Sequence, residues 1–179
     1  MLFGAPAGAG YVEAIAAVKP SVVAIGTYAA NRSPRVRMAG TGFAVADGRH
    51  VVTNAHVVGI KLAPGERVVV IRARSGDAEV RQVLGSVPRA ERDIALLEVG
   101  GPALPALALG DSETLPEGSD LAITGFPLGL ILGLHPVTHR AFLAGIVPCS
   151  VPPVRGAQLT AKTITARKHR KLSRLPPGP

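Results

Sequence analysis

Apolar positions along this chain fall into short runs rich in Val, Ile and Ala, separated by clusters of Gly, Pro, Asn, Asp and Ser. Residues 11 to 19, YVEAIAAVK, place Val12, Ile15, Ala16 and Val18 near a helical spacing that Pro20 ends, which predicts a short lead-in helix. From there the pattern changes to strands. SVVAIGTY (21–28), VRMAGTGFAVA (36–46), HVVTN (50–54), RVVVIRAR (67–74), AEVRQVLGSV (78–87) and DIALLEV (93–99) are rich in β-branched residues. Turn formers such as NRSP, DGR, APGE and SGD divide them. Six strands so spaced predict a small closed antiparallel barrel, since closure removes the apolar edges such strands would otherwise expose.

Beyond GGPALPAL (100–107), which reads as a linker, a second set begins with PALAL (105–109), DLAITGF (120–126) and PVTHRAFLAGIV (136–147). About three strands are countable there before proline in PCSVPPVRG rules out a central strand. AQLTAKTITARKHRKLSRL then reads as a basic helix or a loose tail. The second unit looks unfinished.

Composition narrows this picture without changing it. The 179 residues fit one ordinary domain or two small packed barrels. With 47% hydrophobic and 18% charged residues the chain is globular rather than disordered. Aromatics make up only 3% and Trp is absent, so Val, Leu, Ile and Ala must build the core. The net charge of +8 belongs to one end: residues 1 to 120 hold 12 basic and 12 acidic side chains, whereas 121 to 179 hold 8 basic and no acidic ones. One cysteine, Cys149, allows no internal disulfide. The N-terminus MLFGAPAGAG has neither a basic region nor a long apolar stretch and does not read as an intact secretion signal. The longest apolar run, GFPLGLILGL, is broken by Gly and Pro and is about half the length a membrane span requires.

Candidate chemistry centres on VVTNAHVVG, which sets His56 directly after a strand. A histidine there is ordinarily a hydrogen-bonded core residue. However, TNAH ends the strand and lifts the ring onto a turn at the barrel's rim. ERDIALLEV places Asp93 at the mouth of a strand whose next four residues are apolar. An ionised carboxylate beside a core needs a partner, and an imidazole N–H is a good one; a plain turn Asp is the bland alternative.

TNAHVV and RDIALL, in this order across a six-strand pattern, resemble the chymotrypsin-like serine peptidases, and within them the bacterial HtrA-type group. KPSVVAIGTY, GTGFAVADGRHVVTNAHVV, RDIALLEV and LGDSETLPEGSDLAITGFPLG resemble successive signatures of that group, and GLHPVTHRAFLAGIVP the strand pair leading toward its nucleophile. The resemblance spans roughly residues 14 to 165. It implies an all-β, trypsin-like double β-barrel, with a complete six-strand N-terminal barrel and an incomplete C-terminal one. The expected divisions are a lead-in with a short helix (1–19), an N-terminal barrel (20–100), a partial C-terminal barrel (101–160) and a basic, Pro-rich tail (161–179).

The activity implied is serine endopeptidase: proteolysis through an acyl-enzyme, on peptide or unfolded-protein substrates, in the periplasm or outside the cell, with no cofactor or metal. His56 would be the general base and Asp93 the carboxylate that fixes its tautomer. The nucleophile should be a serine in a Gly-Asn/Asp-Ser-Gly-Gly/Ser turn whose backbone N–H groups form the oxyanion hole. That turn is absent. Gly110-Asp111-Ser112-Glu113 imitates it, but Glu113 replaces the glycine and would oppose an oxyanion. Ser150 and Ser173 lack flanking glycines, and Cys149 reads as structural or incidental. The expectation is therefore a chain truncated or frameshifted before its serine and inactive alone, or a non-catalytic pseudo-peptidase that binds peptides.

Two lesser features fall away. His135 and His139 in HPVTH sit on a strand pattern, where residues four apart lie about 13 Å from each other, too far to share an ion. The tail's Lys162, Arg167, Lys168, Arg170, Lys171 and Arg174 would attract phosphate or an anionic membrane, but no stacking aromatic accompanies them, so no specific nucleic-acid partner is expected and a solvated tail is the simpler reading.

Overall fold

The computed structural model of the chain describes residues 10–74, 77–127 and 134–146. Helix α1 (Tyr11–Val18) leads through a 3-10 turn (Lys19–Ser21) into six strands: β1 (Val22–Tyr28), β2 (Val36–Val45), β3 (His50–Thr53), β4 (Arg67–Arg74), β5 (Asp77–Arg89) and β6 (Ile94–Val99). A one-turn helix α2 (Ala55–Val58) follows β3, and a 3-10 turn (Ala90–Arg92) precedes β6. The six strands close into an antiparallel barrel in the order β1-β2-β3-β6-β5-β4. Strands β7 (Asp120–Gly125) and β8 (Val137–Phe142) pair antiparallel in a separate sheet. This is the all-β fold that the runs of Val and Ile predict. Among the described residues no helix is long and apolar enough to cross a membrane.

The packing explains why some runs alternate and others do not. Val23, Ile25, Ala44, Val51, Val70, Leu97 and Val99 form the barrel interior with Val57 and Leu104. Their neighbours Val22, Ala24, Val69 and Ile71 point the other way and join a second cluster closed by Phe126, just past β7. Strands β1 and β4 thus bury both faces and read as unbroken apolar runs, whereas β6 alternates exposed and buried along its whole length. The second sheet is also tied to the barrel by a hydrogen bond from the Phe126 N–H to Thr41 Oγ1 (3.0 Å). The Tyr11 hydroxyl donates to the Leu121 carbonyl (3.0 Å), so α1 bridges both units.

Two expectations for the segment after β6 change. PALAL (105–109) is not a strand: it makes a single bridge, Val45 to Leu107, because Pro105 cannot donate to a ladder. Nor is GGPALPAL merely a linker. Leu104 is buried, and its N–H donates to the Gly48 carbonyl (2.9 Å) at the β2–β3 turn. Gly48 has φ +75°, and a Cβ there would strike the Leu104 carbonyl, so only glycine fits.

Glu66 clamps the opposite end. Its carboxylate accepts from the Thr27 hydroxyl on β1, the Ala63 N–H (3.0 Å) before β4, and the Arg32 guanidinium in the β1–β2 loop. The Thr27 hydroxyl first, then Ala63 and Arg32, hold its pKa down to about 2 from an ordinary 4.5. A folded-state pKa below the unfolded one stabilises the fold above the unfolded value and loses that effect as pH falls toward the folded one. Thermal melts should therefore show a loss of stability between pH 4.5 and about 2 that is smaller in Glu66→Gln, which is less stable than wild type at neutral pH. Parallel pH profiles for the two proteins would contradict this role.

Candidate active site

Strand pairing brings the two sequence-selected residues together. Thr53, the last residue of β3, pairs with Ala95 near the start of β6, so the segments just outside both strands meet at one rim of the barrel. Residues 37 positions apart in sequence become neighbours there. The Thr53 hydroxyl, itself buried, donates to the Thr41 carbonyl (2.8 Å) and fixes the strand end before the chain turns.

Helix α2 is a single turn that orients the imidazole. Ala55 and Val57 are buried and His56 lies between them, so its ring is driven outward, with 70% of the side chain exposed. Val57 packs over Gly40 of β2: a Cβ at Gly40 would lie 2.7 Å from Val57 Cγ2 and 2.9 Å from Cγ1. Because Val is stiff at χ1, it could not easily yield. Glycine at position 40 is what lets the histidine-bearing turn sit close against the barrel.

Asp93 follows the 3-10 turn in the left-handed region, φ 50° and ψ 43°, a conformation that Asp tolerates better than most residues. Its carboxylate faces His56 with both oxygens. Oδ1 accepts the His56 backbone N–H at 2.9 Å, and Oδ2 lies 2.7 Å from ring Nδ1. The Asn54 side-chain amide donates to Asp93 Oδ2 (3.2 Å) and to its carbonyl (3.0 Å). Burial at the rim pushes the Asp93 carboxyl upward, but the His56 N–H, the His56 ring and Asn54 together outweigh it and leave the pKa below the ordinary carboxylate value. The group is therefore ionised at neutral pH and can only accept, which makes Nδ1 the ring's donor and leaves the lone pair of the neutral imidazole on Nε2.

The other candidates are not brought to this rim by any contact among the described residues. Ser112 lies exposed in a turn in which Asp111 Oδ1 accepts the Glu113 N–H (2.8 Å) and the Thr114 hydroxyl donates to the Asp111 carbonyl (3.1 Å). The GDS segment is an Asx turn, and its aspartate is occupied with the local backbone. His135 precedes β8 and His139 lies on it, both exposed. Cys149, Ser150, Ser173 and the basic tail from Lys162 to Arg174 lie outside the described residues. Sequence reading missed Asn54 and Gly40. The asparagine directly before the one-turn helix was the available signal for the first; nothing local marks the second.

An ionised carboxylate thus orients a surface imidazole on the rim of a closed six-strand antiparallel barrel, with a second β sheet tied to that barrel. The model of the trypsin-like peptidase domain matches residues 40–168, and the chain belongs to that family. It is 33% identical over 102 residues to a probable periplasmic serine endoprotease DegP-like of Halomonas elongata, a match covering 57% of this chain and 20% of the relative. A protein of the same description from Pseudomonas putida is 36% identical over 104 residues, covering 55% and 20%. The chain thus spans about a fifth of the length of the curated relatives it matches. Among solved structures, the HtrA-type protease AlgW with decapeptide shares the fold with a TM-score of 0.56 at 18% identity, over 76% of this chain and 46% of that one.

The close approach of Gly40 to Val57 has a measurable consequence. Gly40→Ala should destabilise the chain by about 1–3 kcal/mol, the usual cost of overpacking. Combining it with Val57→Ala should cost less than the two single changes added together, because the clash is shared. Chemical denaturation of the four proteins measures this, and simple additivity would show that the glycine does not serve the helix.

Proposed function

We propose that this chain carries the general base and the orienting carboxylate of a serine endopeptidase site, His56 and Asp93, and binds peptides. The observation that carries this reading is the 2.7 Å contact between His56 Nδ1 and Asp93 Oδ2 within the segment matched by the peptidase family. With Nδ1–H held by the carboxylate, Nε2 is free to take a hydroxyl proton and to return it to a leaving amine, while Asp93 stabilises the imidazolium between the two steps. A peptide as ligand is supported by the solved relative, whose bound partner is a decapeptide. A periplasmic setting is supported by the descriptions of the curated relatives.

The 179 residues contain no Gly-Asn/Asp-Ser-Gly turn, so this chain by itself lacks both the nucleophile and the N–H groups that would hold an oxyanion. It therefore does not cleave peptide bonds alone. The same absence favours a second reading, a pseudo-peptidase that retains peptides without turning them over.

A fluorophosphonate probe on the purified chain should label no serine, and an unfolded protein substrate should remain intact. Saturable peptide binding without cleavage would favour the second reading. A labelled serine would overturn the claim that the nucleophile is missing. A His56 Nδ1–H proton resonance that is unchanged in Asp93→Asn would overturn the base-and-carboxylate assignment itself.

A further inference from the structure

The imidazole of His56 is held in one tautomer, yet none of the described residues hydrogen-bonds its Nε2, and most of the ring faces solvent. A general base with no hydroxyl to activate is still a nucleophile. From this geometry we propose a second activity: His56 Nε2 itself attacks small activated acyl donors, such as aryl esters, and the chain is a weak esterase through an acyl-imidazole.

The steps balance without any group beyond water. The Nε2 lone pair adds to the ester carbonyl carbon, the carbon–oxygen bond to the aryl group breaks, and the aryloxide leaves with the electron pair. The acylated ring is cationic until it releases the Nδ1 proton to solvent through the neighbouring Asp93 carboxylate. Water then adds to the acyl carbon, the carbon–nitrogen bond breaks, and a carboxylic acid and the original imidazole result. Peptide bonds are excluded as substrates, because an amine is too basic to leave from an imidazole adduct without an acid catalyst and an oxyanion hole.

Three features make this ring better suited than an ordinary surface histidine. Asp93 clamps it twice, through Nδ1 and through the backbone N–H of the same residue, so the nucleophilic lone pair points in one direction. Asn54 holds the carboxylate in turn, which supports the orientation from a second side. Finally, the ring stands outside the wall made by Ala55 and Val57, open to a ligand from solvent.

The molecule also contains its own control. His50 Nδ1 lies 2.8 Å from Asp47 Oδ1, a second histidine–carboxylate pair. That pair differs in two respects: the His50 side chain is only 38% exposed, and Asp47 accepts the Arg49 N–H (2.9 Å) rather than that of the histidine itself. Pairing with a carboxylate alone would make the two rings alike; exposure and clamping make His56 the more reactive.

The experiment uses the full chain with para-nitrophenyl acetate, followed by release of the coloured phenolate. Hydrolysis above the buffer rate is expected, abolished in His56→Gln, reduced several-fold in Asp93→Asn, and unchanged in His50→Gln, in Ser112→Ala and after treatment with a sulfonyl fluoride. In wild type, diethyl pyrocarbonate should modify His56 before His50, read by peptide mass, so the result does not depend on any variant folding. Hydrolysis at the buffer rate, its persistence in His56→Gln, or faster modification of His50 would each overturn the proposal. Loss of turnover with the sulfonyl fluoride would instead place the activity on a serine and contradict both this inference and the missing nucleophile. A serine labelled by a fluorophosphonate while ester turnover survives would contradict the latter alone.

Discussion

The structure turns on the antiparallel pairing of β3 with β6. Neither strand is long, and they are separated by two others in sequence, yet their register decides which loop residues share a rim. With Thr53 opposite Ala95, the turn after β3 and the residue before β6 are adjacent, and the imidazole and carboxylate meet at hydrogen-bonding distance. A slip of one residue would send Ala95 and Leu97, both fully buried, to the solvent face and draw Ile94 and Leu96 inward. The hydrophobic pattern of the barrel and the geometry of the site are therefore fixed by the same constraint.

That constraint shows how much was legible. The strand Arg67–Arg74 reads directly from its run of β-branched residues, and β3 and β6 are bounded by unmistakable turns. His56 and Asp93 stand out because each places a polar group at the end of an apolar strand, where only a partner can satisfy it. What stayed hidden depends on tertiary contact. Leu104 looks like one more apolar residue in a proline-containing connection, and only the barrel's end reveals that it packs in the interior and bonds the β2–β3 turn. Gly40 looks like a turn or strand-weakening glycine until the one-turn helix is seen resting on it. The unbroken Val runs of β1 and β4 carried a signal that a second layer covers them, but a short apolar run does not say what lies on either face.

Among the described residues, contacts between the second unit and the first include Thr41 and Phe126. Thr41 is engaged twice. Its hydroxyl accepts the Phe126 N–H at the end of β7, while its carbonyl accepts the hydroxyl of Thr53, the residue that ends β3. Phe126 adds apolar closure over Val22, Ala24, Val69 and Ile71. One residue of β2 thus touches both the docked sheet and the strand from which the imidazole-bearing turn departs. Thr41 therefore links the docked sheet to the root of that turn through two hydrogen bonds.

Yet, among the described residues, every hydrogen bond that orients the imidazole comes from the barrel itself. Asn54, the His56 N–H and Asp93 all belong to the rim where β3 and β6 end. The short loops that hold them are anchored by buried Ala55 and Val57 on one side and by the paired strand ends on the other. An imidazole and its carboxylate can be assembled this way because they need only a fixed ring and an adjacent acceptor, which the rim of one closed barrel supplies. A nucleophile needs more: a tight turn that exposes it and aligned N–H groups to receive negative charge. The two halves of such a site therefore make different demands on the chain, and the first needs no more than the rim of the barrel. That asymmetry is why the rim of one closed barrel suffices to hold an imidazole in a fixed orientation at its surface.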